Sequence, residues 1–161
     1  MAVHKLHIEE YDEIDYQLIA IHSPLEDFRL AYYINQNLPI NLKKSNCDIH
    51  VSSKEGEAQF TRFVFEDDKE ILWSLVQNQN KAIVSRPNNN QGLFSDGADE
   101  FSTNIYLIPE FKKVDYFLKI ENDEVAIDIT QMIHQIKKIE RITTVYSVEV
   151  EKIKSKNNLI F

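Results

Sequence analysis

The groups in this chain that could do chemistry are five histidines, one cysteine and scattered carboxylates, and their spacing keeps most of them apart. Cys47-Asp48-Ile49-His50 comes nearest to a thiol–imidazole pair. On a strand, however, positions three apart face opposite ways, so the segment reads as a half-buried cysteine beside a surface histidine. His4 and His7 share that spacing, and a single cysteine cannot complete a Cys₂-type zinc site. Asp67-Asp68 and Asp96, Asp99 and Glu100 sit among turn residues without EF-hand spacing. Nothing around them suggests the burial that splits the pKa values of an acid–base pair. Three glycines provide no phosphate-cradling loop, and neither a G-x-S-x-G elbow nor an H-E-x-x-H pair occurs. The chain is therefore read as carrying no catalytic residue, no metal and no cofactor.

His22 and Arg29 are the exception worth keeping. His22 falls where a strand meets a helix start, a place suited to anion binding or proton transfer. It is also the place of an ordinary hydrogen-bonded loop histidine, the more common occurrence. His22 and Arg29 stand as the first ligand-binding candidates.

The elements that must position these groups follow from local pattern. Asp15 to His22 reads as a buried strand, and Ser23-Pro24-Leu25-Glu26 as a capping box with proline in the first helical turn. The helix that follows carries Phe28, Ala31, Tyr32, Tyr33 and Ile34, which predicts burial over more than half its circumference. Leu38, Ile40 and Leu42 alternate as an edge strand that tolerates Pro39. Phe60–Phe65 and Ile71–Val76 flank the acidic turn Glu66-Asp67-Asp68-Lys69 as a hairpin, and Lys81–Ser85 adds a short strand. Residues 86–100 form a long polar connection, read as a mobile loop. Asn104–Ile108 and Val114–Ile120 read as strands, with Tyr116, Leu118 and Ile120 on one face. Ile129, Met132, Ile133 and Ile136 then mark a helix capped by Asp128, and Thr143–Val150 is β-branched strand. That last strand–helix–strand unit predicts two parallel strands in one sheet.

Charge narrows the partners. The 161 residues hold 18 Lys/Arg against 26 Asp/Glu, a net charge of −8. Residues 1–100 carry 9 basic against 17 acidic side chains, residues 101–161 carry 9 of each. An acidic first part argues against nucleic acid, whose affinity rests on clustered lysine and arginine. The end is different in kind. Residues 152–161 are basic and then apolar, and Leu159-Ile160-Phe161 either docks on its own core or offers itself to a partner.

At Ile108-Pro109-Glu110-Phe111-Lys112-Lys113-Val114-Asp115-Tyr116 the chain carries the pattern that names the IPExxxVDY family, which it resembles. Leu18-Ile19-Ala20-Ile21-His22-Ser23, Leu25-Glu26-Asp27-Phe28-Arg29-Leu30-Ala31-Tyr32 and the ending Lys154-Ser155-Lys156-Asn157-Asn158-Leu159-Ile160-Phe161 look like that family too. The family is a set of small bacterial proteins, so the resemblance implies a bacterial source and brings no reaction, ligand or catalytic residue. Read physically, Pro109 ends a strand and Lys112-Lys113 suits an exposed turn. Glu110 and Asp115 either tie down loop amides or pair with lysines at little net gain on an exposed surface. The functional reading makes Glu110, Asp115 and Tyr116 a site at the sheet end, and they are the second ligand-binding candidates.

Taken together, residues 1–161 are expected to form one α+β domain. Its mixed, mostly antiparallel sheet of about six to eight strands has two main helices on one face and a C-terminal βαβ unit. No signal-peptide core opens the chain and no apolar run approaches a membrane span, so a cytoplasmic protein is expected, the lone cysteine agreeing. The leading functional expectation is a non-enzymatic interaction or adaptor protein. It would use its acidic face or the tail residues Leu159, Ile160 and Phe161 for a protein partner. The alternative is a small-ligand-binding regulatory domain of ferredoxin-like or ACT-like pattern.

Overall fold

Tyr16-Gln17-Leu18-Ile19-Ala20-Ile21-His22 is an almost unbroken apolar run, and it forms the first strand, β1 (Tyr16–His22), buried on both faces. The computed structural model describes residues 16–85, 100–121 and 126–161. The remaining elements are α1 (Asp27–Asn37), β2 (Lys43–Lys44), β3 (Ile49–Ser53), β4 (Gly56–Phe60), β5 (Arg62–Glu66), β6 (Leu72–Gln77), β7 (Gln79–Ser85), β8 (Glu100–Tyr106), β9 (Tyr116–Glu121), α2 (Ile129–Lys137) and β10 (Thr144–Ser147). The histidines at 4 and 7, the acids at 96 and 99, and all of the long connection except Glu100 lie outside the described residues.

The main sheet runs β10-β1-β9-β6-β5-β2, and each neighbouring pair is antiparallel. β9 and β10, joined through α2, point the same way with β1 between them. β1 and β6 likewise point the same way with β9 between them. The set β1-α1-β6-β9-α2-β10 is thus a double split βαβ, the ferredoxin-like strand order. It is a statement about architecture alone.

Alternation along the central strands sends side chains into two separate cores. Ile19, Ile21, Trp73, Leu75, Tyr116, Leu118 and Ile120 meet Leu30, Ile34, Met132 and Ile136 of the two helices on one face. Leu18, Ala20, Val76 and Phe117 face the other way. There they meet Val51 and Phe60 of the β3–β4 hairpin, Ala82 and Ile105 of the β7–β8 hairpin, and Val150, Ile153 and Leu159 near the chain end. The protein is a helix layer, a six-stranded sheet and a covering layer of hairpins and tail. No helix among the described residues is long and apolar enough to cross a membrane.

Several local expectations change. Ser23 does not cap α1: Glu26 occupies the N-cap, and no side chain bonds there. The Ser23 hydroxyl instead accepts from the Leu25 N–H at 3.2 Å and donates to the Arg141 carbonyl at 3.0 Å. Nor is α1 mostly buried. As an outer-layer helix it commits only Leu30, Ala31 and Ile34 to the core and leaves Phe28, Tyr32 and Tyr33 exposed. Leu38, Ile40 and Leu42 are buried as their alternation suggests, yet form no strand. The Asn35 side chain takes the place of a strand partner there. Its Oδ1 accepts from the Leu42 N–H at 2.7 Å and its Nδ2 donates to the Leu42 carbonyl at 3.0 Å. Cys47 is exposed rather than half-buried. By contrast, Asp128 caps α2 as expected, accepting from the Gln131 N–H at 2.9 Å.

Candidate functional site

The turn that carries the Ile108–Tyr116 motif is built around one residue that its own sequence does not contain. Asn78 joins β6 to β7 and is fully buried, a costly position for an amide unless every polar group is paired. Its Nδ2 donates to the carbonyls of Phe111 (2.8 Å) and Val114 (3.1 Å), and its Oδ1 accepts from the Ile108 N–H (2.8 Å). Its backbone N–H donates to Asp115 and its carbonyl accepts from Leu107, both at 2.8 Å. Five bonds, three from the side chain and two from the backbone, thus shape the 3-10 turn Pro109–Phe111 around a single residue. A polar residue wedged between the apolar runs Leu72–Val76 and Ala82–Val84 was the only available signal of this role.

Glu110, Asp115 and Tyr116 of the motif each fasten a distant segment. Glu110 holds the tail. Its Oε1 accepts from the backbone N–H groups of Lys154 (2.7 Å) and Ser155 (2.8 Å), and its Oε2 from the Ser155 hydroxyl (2.7 Å). Partial burial pushes this carboxyl's pKa up, but the bonds from the Ser155 side chain and the backbone amides outweigh it and hold the group below its ordinary value. Asp115 Oδ2 accepts from the Ser23 N–H at 2.9 Å, and Tyr116 Oη donates to the Leu25 carbonyl at 2.5 Å. Burial, with the nearby carboxylates of Asp27, Asp115 and Glu26, pushes the Tyr116 phenol up, so it keeps its proton. Asp115 and Tyr116 therefore clamp the β1–α1 connection to β9, while Glu110 serves a different segment.

Among the described residues, His22 and Arg29 keep different company. His22 Nε2 lies 3.5 Å from Tyr146 Oη with the rings 5.7 Å apart, and its carbonyl accepts from the Thr143 N–H and hydroxyl. Arg29 instead lines a cleft of about 190 Å³ with Leu25, Tyr33, Glu140 and Arg141. Among the described residues, neither arginine has an ion-pair partner, and no group of three metal-ligating side chains gathers.

The tail residues are largely occupied by the protein itself. Leu159 is 1% exposed in the hairpin-side core, and its carbonyl accepts from Lys119 Nζ at 2.5 Å. The Phe161 ring packs on the same core beneath the Arg62 guanidinium (5.2 Å) and the Lys119 ammonium (4.6 Å). Only Ile160 points outward. The tail docks on its own core, and Leu159 and Phe161 are not free to be handed to a partner.

Two open features lie on the helix side, and a further cleft of about 560 Å³ lies on the hairpin side between β3, β4 and β7. Phe28 and Tyr32, 55% and 59% exposed, stand one helical turn apart on α1, with Tyr33 edge-on to Tyr32 at 5.6 Å. A second cleft, of about 440 Å³, lies between the segment after α1, the β5–β6 turn and the start of α2, with Trp73 in its wall. The aromatic face was hidden in the sequence because Leu30, Ala31 and Ile34 alone satisfy the core, which leaves the neighbouring apolar positions to solvent. Compared with family models, with curated proteins and with solved structures, the chain matches none.

Proposed function

We propose that the protein is a non-catalytic interaction module that binds a protein segment on the exposed face of α1. The observation that carries this reading is the clustering of Phe28, Tyr32 and Tyr33 on one helix. Among the described residues, the one other exposed large apolar side chain is Ile160. Aromatic residues and arginine are the side chains that most often anchor protein interfaces. A contiguous exposed aromatic patch on an otherwise charged surface costs solubility unless it is used. Arg29 and Arg141 beside Tyr33 favour a partner segment that sets a carboxylate next to its apolar anchor. A cytoplasmic setting suits the exposed thiol of Cys47, which a reducing compartment preserves.

Replacing Phe28 and Tyr32 together by serine removes the anchors while leaving the core intact, and Arg29→Glu reverses the local charge. Affinity capture from native lysate with each variant and with the unaltered protein, followed by mass spectrometry, tests the reading. Partners retained by the unaltered protein are expected to be lost from both variants, with thermal midpoints unchanged. Capture profiles that are identical across the three proteins overturn it.

A further inference from the structure

The cleft between α1 and the turn after α2 is small, charged and held in place by buried groups. Leu25, Arg29, Tyr33, Glu140 and Arg141 line a volume of about 190 Å³. That is room for one polar group on its stem, not for a drug-sized molecule. Two of its walls are pinned from behind. Ser23, 3% exposed, donates its hydroxyl to the Arg141 carbonyl and accepts from the Leu25 N–H. Asp115 Oδ2 accepts from the Ser23 N–H, and Tyr116 Oη donates to the Leu25 carbonyl. The end of the Ile108–Tyr116 motif thus fixes the backbone from which the cleft is built, the support that a preorganised site needs.

Arg141 is held there under strain. Its φ is 68°, a left-handed conformation that glycine adopts freely and arginine does not. Among the described residues, neither Arg29, Arg141 nor Glu140 makes an ion pair. Glu26 and Asp27 precede Arg29 in the chain but do not line the cleft. Two guanidinium groups against one carboxylate leave an excess of positive charge, and their pull on an anion scales with its charge. A carboxylate has two oxygens, which a single guanidinium fork engages fully. A phosphate ester, with three free oxygens and roughly twice the charge, suits two forks together.

From the paired guanidinium groups, the small volume and the pinned walls, we infer that this cleft binds a phosphate monoester in preference to a carboxylate. The phosphate sits between Arg29 and Arg141, and its stem runs along Leu25 and Tyr33. Such a site deepens the anionic part of the proposed interaction and rests on the same arginines, but it needs no protein partner to be filled. Phosphorylated side chains and small polyol phosphates carry the same group, and the probes separate these two sources.

The probes are N-acetylphosphoserine amide, glycerol 3-phosphate and N-acetylglutamate α-amide, which carries a carboxylate instead. Each is titrated into the full chain at low ionic strength, where exposed charges are least screened. Binding is followed by calorimetry and by the NMR shifts of the arginine Nε–H groups. At least one phosphate ester is expected to bind saturably, about fivefold or more tighter than the glutamate compound, with Arg29 and Arg141 shifting most. The tighter of the two esters names the source. Arg141→Gly relieves the strained backbone and removes one fork. It is expected to weaken the ester about tenfold or more, with a thermal midpoint at or above that of the native protein. Arg29→Gln is expected to cause a similar loss of affinity. Absence of saturable binding of both esters overturns the inference, as does an Arg141→Gly variant that binds as the native protein does. Equal affinity for the glutamate compound also overturns it, yet leaves the interaction reading, with its partner carboxylate, standing.

Discussion

Glu110 is an exposed carboxylate that nonetheless accepts three hydrogen bonds, all from the segment leading into the tail. Charge-assisted bonds to backbone amides favour the ionised form, which is why its pKa falls despite the opposing desolvation. The sign of the consequence follows from linkage. A carboxyl whose folded pKa lies below its unfolded value of roughly 4.3 contributes stability above that value and loses it as pH falls through the folded one. Glu110→Gln keeps the shape and removes the charge. Its thermal midpoint is expected to lie below that of the native protein by up to about 3 °C at pH 7. The gap should close as the pH is lowered past 4. A gap that stays constant from pH 7 to pH 3 assigns the effect to packing instead. Asn78 and Tyr116 belong to the same economy of single residues: one buried amide and one protonated phenol replace what longer stretches of regular structure would otherwise do.

The turn between β5 and β6 shows how an element tolerates an awkward residue. Glu70 has φ 62°, a left-handed conformation that favours glycine, because its N–H must reach the Asp67 carbonyl at 3.0 Å while Asp67 N–H donates to Ile71 at 3.1 Å. Glu70→Gly is expected to stabilise the protein by about 0.5–1 kcal/mol, read as a higher urea midpoint at unchanged m-value. A lower midpoint shows that contacts of the Glu70 side chain exceed the backbone strain. This hairpin was legible from sequence, as were β1, β9 and α2, because alternation, turn composition and the Asp128 cap are all local signals. The outcome at Leu38–Leu42 was not, because the partner that replaces a strand there is the amide of Asn35, seven residues before Leu42. The start of α1 was misread for a similar reason. Ser23 has the right chemistry for a cap, but the Arg141 carbonyl, contributed from beyond α2, competes for it. Tying down loop amides was one of the readings of Glu110 and Asp115, and amides are what they hold. That these amides belong to Ser23, Lys154 and Ser155, and that Tyr116 reaches the Leu25 carbonyl, was beyond reach of spacing arguments.

At the scale of the whole molecule, one sheet separates two apolar clusters, and neither can persist without the strands they share. Ile136 of α2 is 0% exposed on the helix side, and Leu159 of the tail is 1% exposed on the hairpin side. Truncating either to alanine removes a fully buried branched side chain, at a cost of about 3 kcal/mol each. Because the residues lie on opposite faces of the sheet without a common contact cluster, the double variant should lose close to the sum. The more telling measurement is the shape of the transition. Trp73 reports from the helix side, so its emission and the far-ultraviolet circular dichroism of Leu159→Ala should shift together to one lower urea midpoint if unfolding is all-or-none. Were the tail only a strap laid on a finished domain, Leu159→Ala would leave the Trp73 midpoint where it is in the native protein. The buried ammonium of Lys119 argues for the cooperative outcome. It bonds the Leu159 carbonyl and the Glu121 carboxylate, and it sits against the rings of Tyr16 and Phe161. Stripping the tail from it leaves a buried charge in the middle of the sheet short of a partner, a penalty carried by β9 and therefore by both layers.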